Sequence, residues 1–215
     1  MKANFNNKNY DKSILQFFSG GADSLYLLLQ NLRCNHKVTL TYVNITNNVK
    51  KPEREKQARN LLKEDIAKFC KYFNCIGPEF LKDHSITVNY ALSRCPAPQQ
   101  IIFAMTALLI GRSFDEIQMG VVLGDSMRGS NLNKDFVEAY RKNLSGYFPD
   151  ILYPIEDVSK ETIYLTLQGY DKLLGTQFLN HITVCEKVNK PCGKVKECMP
   201  CKTQQRVFKR LKWIE

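Results

Sequence analysis

Residues 19–24 read Ser19-Gly20-Gly21-Ala22-Asp23-Ser24, and they stand between two apolar runs. Ile14-Leu15-Gln16-Phe17-Phe18 leads in, and Leu25-Tyr26-Leu27-Leu28-Leu29 follows directly. The pattern is strand, tight glycine turn, helix. Two adjacent glycines allow positive φ and let a ligand come close to the backbone amides. The free N–H groups at a helix start, together with its dipole, form a site for an anion of phosphate size. Ser19 and Ser24 add hydroxyl donors. Asp23 is out of place beside a phosphate unless a metal ion lies between the two negative groups. The Walker pattern G-x-x-x-x-G-K-[ST] is absent. The bland alternative is an ordinary strand–turn–helix corner with a polar cap.

The same alternation continues along the chain. Val38–Ile45 is an expected second strand, rich in β-branched residues. Pro52 opens a helix to about Phe73, with Ala58, Leu62, Ile66, Phe69 and Phe73 in helical period. Residues 78–95 are expected to be irregular. Ile101–Arg112 is an apolar helix, Ile117–Val122 a buried strand, Asp135–Leu144 a helix and Ile151–Ile155 a strand. Ser159 is an expected N-cap, with Glu161 favouring the dipole of the next helix. Strands alternating with helices imply a doubly wound parallel sheet, whose ligands sit at the carboxyl ends of the strands. The last thirty residues lose this pattern and become cysteine-rich. The organisation expected is an α/β domain over residues 1–180 and a metal-binding segment over residues 181–215.

The chain has 215 residues, enough for one α/β domain with a small appendage. Its N-terminus is polar and asparagine-rich, without an apolar signal region. The longest apolar run, Ile101–Ile110, is too short to span a bilayer. A cytoplasmic protein without a membrane partner is therefore expected. The formal charge is +10, from 31 basic and 21 acidic residues. Much of the excess falls at Lys187, Lys190, Lys194, Lys196, Lys202, Arg206, Lys209, Arg210 and Lys212. Such a surface favours ATP, nucleic acid or an acidic protein, or serves solubility alone.

Eight cysteines in such a chain point to metal or thiol chemistry more than to disulfides. Cys185, Cys192, Cys198 and Cys201 fall within seventeen residues and end in a C-x-x-C pair. Four thiolates in a small loop-rich segment suit tetrahedral Zn²⁺. An iron–sulfur cluster and unligated thiols are the alternatives. His181 is set aside as structural, and Cys34, Cys70, Cys75 and Cys95 as core or surface residues.

The hexapeptide resembles the pyrophosphate loop of the N-type ATP pyrophosphatases, S-G-G-x-D-S. Together with the terminal cysteines it resembles the 7-cyano-7-deazaguanine synthase family. Weaker similarities lie between, at Pro98-Gln99-Gln100, Gly120-Val121, Asp125, Asp135-Phe136, Pro154 and Lys160-Glu161-Thr162. Departures are the three extra residues between Cys192 and Cys198, Gln99 in place of an arginine, Gly129–Asn133 in place of Y-P-D-C-R, and the loss of a G-Q-R-H stretch. Asn44–Lys51 stands where that stretch belongs.

The resemblance implies an adenine-nucleotide α-hydrolase-like fold with a zinc knot. It implies ATP and Mg²⁺ bound by Ser19, Gly20, Gly21, Ala22, Asp23 and Ser24, with Asp23 on the metal. Asp23 and Lys160 become the catalytic residues, and Asp125 and Gln99 fall on the substrate side. Zinc goes to Cys185, Cys192, Cys198 and Cys201. The implied reaction adenylates 7-carboxy-7-deazaguanine, adds ammonia to give the amide, and dehydrates that to the nitrile. A divergent relative would pass the activated acid to an amine on a protein or nucleic acid. A reading from another class is a basic, zinc-containing nucleic-acid-binding module with a vestigial loop. A homodimer is compatible with the sequence.

Overall fold

The computed structural model describes residues 10–45, 50–86, 105–106, 109–122, 138–139, 142–143, 149–183 and 199–214. Strand β1 (Ser13–Phe17) leads through the glycine loop into helix α1 (Ala22–Arg33) and strand β2 (Lys37–Thr41). A short β3 (Val43–Ile45), the long helix α2 (Lys50–Phe73), β4 (Glu79–Phe80) and β5 (His84–Ile86) follow. After them come β6 (Glu116–Gln118), β7 (Asp150–Leu152), α3 (Lys160–Leu174), α4 (Phe178–His181) and α5 (Met199–Arg210).

Five strands form one parallel sheet in the order β4-β2-β1-β6-β7. The chain steps outward from β1 to β2 and β4, then returns to the other side of β1 for β6 and β7. Strand order thus reverses between β1 and β6, and a crevice opens at the carboxyl ends of such a pair. Ile14, Leu15, Gln16 and Phe17 are all buried, as a central parallel strand covered on both faces requires. β3 and β5 pair separately as a small parallel ribbon.

Helix α1 buries Leu25, Leu28, Leu29 and Leu32, one stripe at helical spacing. This stripe joins Leu62, Ile66 and Phe69 of α2 and Ile163, Leu167 and Tyr170 of α3 in one core. Phe69 and Tyr170 meet edge to face at 5.0 Å. Ile182 and Val207 belong to the same core, so residues on both sides of position 180 share it. No helix among the described residues is long and apolar enough to cross a membrane.

Several expectations differ from the structure. The strands expected over Ile117–Val122 and Ile151–Ile155 end at Gln118 and Leu152. The strand Val38–Ile45 is two strands, because β2 pairs with β1 whereas β3 leaves the main sheet for β5. Residues 78–95, read as irregular, contain β4 and β5, which are two and three residues long. Strands this short carry no period to read. The last thirty residues include α5, whose Val207 is buried against the core. The cysteine-rich stretch before it drew the reading away from its helical spacing. Ser159, by contrast, caps α3 by accepting a hydrogen bond from the Thr162 amide at 3.1 Å.

Candidate functional site

The glycine loop lies where β1 ends at the reversal of strand order. Gly20 has φ +82°, a conformation that side chains resist. Its neighbours are tight as well: a Cβ there would sit 3.1 Å from Ala58 Cβ and 3.2 Å from Arg59 Cγ of α2. Gly21 precedes the first turn of α1 in extended conformation. Its amide donates to Ser19 Oγ at 3.3 Å, and Ser24 Oγ donates to its carbonyl at 3.1 Å. Ser19 and Ser24 hydroxyls lie 3.3 Å apart. The loop is therefore a set of hydroxyls and helix-start amides gathered at one helix N-terminus, the arrangement that holds an anion.

Other elements close on this loop. Gly120, just past β6, abuts the first turn of α1; a Cβ there would lie 3.1 Å from both the Asp23 carbonyl carbon and the Ser24 amide nitrogen. The Thr183 amide donates to the Gly20 carbonyl at 2.9 Å, so the chain leaving α4 straps the loop. At the first turn of α3, Lys160 Nζ donates to Asp23 Oδ2 as a partly buried ion pair. One turn on, burial first and the Asp23 carboxylate second push the Tyr164 hydroxyl well above its ordinary pKa. Tyr164 also packs edge to face with Phe208 at 5.2 Å and Trp213 at 6.5 Å.

Behind the loop runs a buried amide chain that the sequence did not announce. Gln16 Nε2 donates to the Ser24 carbonyl at 2.7 Å. Asn31 Nδ2 donates to Gln16 Oε1 at 3.1 Å and to Gln118 Oε1 at 2.8 Å. Gln118 Nε2 donates to Glu116 Oε2 at 2.8 Å, and Glu116 is also paired with Lys12. Burial alone would raise the Glu116 pKa, but hydrogen bonds from Lys12 and Gln118 hold it below the ordinary carboxylate value. The chain fixes α1 to β1 and β6 and so sets the direction of the first turn. Its signal in the sequence was Gln16, a single polar residue inside an apolar strand.

Of the residues expected in the site, Ser19, Gly20, Gly21, Ala22, Asp23, Ser24 and Lys160 come together. Asp125 and Gln99 lie outside the described residues, as do Cys185, Cys192 and Cys198. Cys201 is described; it is 2% exposed on α5. Among the described residues no group of three or more His, Cys, Asp or Glu side chains is placed to hold a metal. His181, set aside as structural, has its Nδ1 2.7 Å from Asp65 Oδ2 of α2. The carboxylate oxygens of Asp23 have the chemistry to hold a hard divalent cation lying between them and a phosphate.

No family model matches the chain, and no curated protein matches it. Among solved structures it is similar to a predicted subunit of tRNA methyltransferase from Methanocaldococcus jannaschii. That similarity has 13% identity over 73% of this chain and 74% of the other, with a TM-score of 0.44. It is also similar to NMN synthetase from Francisella tularensis, at 12% identity over 78% of this chain and 74% of the other, with a TM-score of 0.28.

Proposed function

We propose that this chain is an ATP-dependent enzyme that adenylates a carboxylic acid and releases pyrophosphate. One observation carries the reading: Gly20 is held at φ +82° at the carboxyl end of β1, where Ser19, Ser24 and the first amides of α1 converge and the Asp23–Lys160 pair stands beside them. The loop amides and hydroxyls hold the β- and γ-phosphates. Lys160 brings a positive charge to the side where the leaving pyrophosphate gains negative charge, which is where fixed charge lowers a barrier most. Asp23 would hold Mg²⁺, whose chemistry is to neutralise the same oxygens. Positioning by the strap and by the amide chain supplies the rest.

The acid favoured by the sequence resemblance is 7-carboxy-7-deazaguanine, converted with ammonia through the amide to the nitrile. The surplus of positive charge favours a second acceptor, an amine on an acidic protein or nucleic acid. The four terminal thiols complete the proposal as a structural zinc site.

The test is a product analysis with ATP, Mg²⁺ and the acid, with and without ammonia. Pyrophosphate release and a free nitrile are expected. An adenylate that accumulates and turns over only when a macromolecular amine is supplied replaces the first acceptor by the second. No adenylate with either nucleophile overturns the enzyme reading. Asp23→Asn should keep the fold and lower pyrophosphate release by about a hundredfold or more, since a charged ligand is lost where charge develops. Release at the wild-type rate would remove Asp23 from the site.

A further inference from the structure

Arg59 of α2 is buried, and its surroundings answer only part of its guanidinium. Nη2 lies 2.5 Å from Asp83 Oδ2. The guanidinium carbon stands 3.6 Å above the Tyr42 ring. Tyr42 is fixed in turn by donating its hydroxyl to Glu55. Nη1 is enclosed and has no hydrogen-bond partner among the described residues. An enclosed charged donor without an acceptor is costly, and proteins keep one where something else completes it.

The position of Arg59 says what that is. Its stem packs against Gly20, with Cγ 3.2 Å from where a Cβ on that glycine would lie. The glycine that turns the loop is therefore seated on the arginine. Thr41, whose carbonyl accepts from the Phe18 amide at 2.9 Å, ends β2 beside Tyr42. Thr41 Oγ1, Asn44 Oδ1 and His84 Nε2, on the strands around Tyr42, are also enclosed without partners among the described residues. This corner is built polar, next to an anion-binding turn, with the Arg59 guanidinium held in place by Asp83 and Tyr42. A guanidinium held in this way presents its remaining N–H at low entropic cost, and it favours phosphate oxygens.

We propose that Arg59 is an anion-binding residue of the loop site, giving Nη1 to a phosphate oxygen of the polyphosphate. The proposal rests on the reading of the loop as a phosphate site. Asp83 and Tyr42 are positioning residues: they aim the guanidinium and do not touch the ligand.

Equilibrium titration of inorganic pyrophosphate with Mg²⁺, and of Mg·ATP, into the wild type, Arg59→Gln, Arg59→Lys and Asp83→Asn tests this, each protein also being melted without ligand. Arg59→Gln should weaken pyrophosphate binding by roughly tenfold to a hundredfold. Arg59→Lys keeps the stem and the charge and should fall between. Asp83→Asn loosens the aim of the guanidinium but leaves its charge, and should weaken pyrophosphate binding less than Arg59→Gln does. Wild-type affinity in Arg59→Gln would overturn the proposal. So would parallel losses in Arg59→Gln and Asp83→Asn that track their melting temperatures, or a loss seen only toward the carboxylic acid substrate. If the wild type binds neither pyrophosphate nor Mg·ATP, the loop reading itself fails, and the role of Arg59 with it.

Discussion

Gln16 is fully buried in the central strand, where an aliphatic side chain would ordinarily stand. Its carboxamide is used at both ends, by the Ser24 carbonyl and by Asn31. Gln16→Met keeps the volume and removes both bonds, leaving Asn31 with one acceptor in a dry core. A loss of about 1–3 kcal/mol is expected, the cost of stranding a buried polar group. Urea unfolding reads it as a lower midpoint at unchanged slope. An unchanged midpoint would show that the amide chain contributes nothing net. The same residue shows what a sequence conveys at this scale. Gly20 was legible because positive φ and close approach restrict the choice of residue. Arg59 was not, because an arginine on a long charged helix looks like any solvated one until the fold seats it on Gly20.

Elements hold the loop from a distance. Helix α3 ends at Gly175 with φ +64°, and Asp171 in its last turn reaches over the break. Asp171 Oδ1 accepts from Thr176 Oγ1 at 2.8 Å and the Phe178 amide at 2.7 Å, and Oδ2 accepts from the Leu179 amide at 3.1 Å. One carboxylate thus satisfies the orphan amides that start α4. His181 then ties α4 to Asp65 on α2, and Thr183 reaches Gly20. Asp171→Ala should cost about 1–3 kcal/mol and loosen this strap. Hydrogen exchange at the Thr183 amide measures the second effect directly. Faster exchange there, with core amides of β1 still protected, is the expected result, and equal loss of protection everywhere would make Asp171 a global rather than a local anchor. Much at this scale was readable from the sequence. The Ser159 cap, the end of α2 at Phe73 and the parallel alternation all follow from local chemistry and period. The ribbon of β3 and β5 and the helix α5 were not, since the first is too short for a period and the second follows a cysteine-rich stretch and is itself mostly polar.

The whole molecule brings the carboxyl-terminal segment back onto the glycine loop. Thr183 bonds to Gly20 at one end of it. At the other, Phe208 and Trp213 cover Tyr164, which stands one turn from Lys160. Residues 184–198, which include Cys185, Cys192 and Cys198, connect these two anchored points. A closed four-thiolate site with Cys201 would turn metal affinity into folding energy for that connection. Protein purified without added metal should then carry one zinc per chain by elemental analysis, with no inorganic sulfide. Removing the metal with a chelator should lower the unfolding temperature. Because Thr183 shares a bond with the loop, removal should also weaken pyrophosphate binding, although a closed zinc touches no phosphate. A stability loss with unchanged pyrophosphate affinity would confine the metal to holding α5 in place. Metal-free protein of full stability, or iron in place of zinc, would overturn the zinc assignment while leaving the loop and its amide chain as they stand.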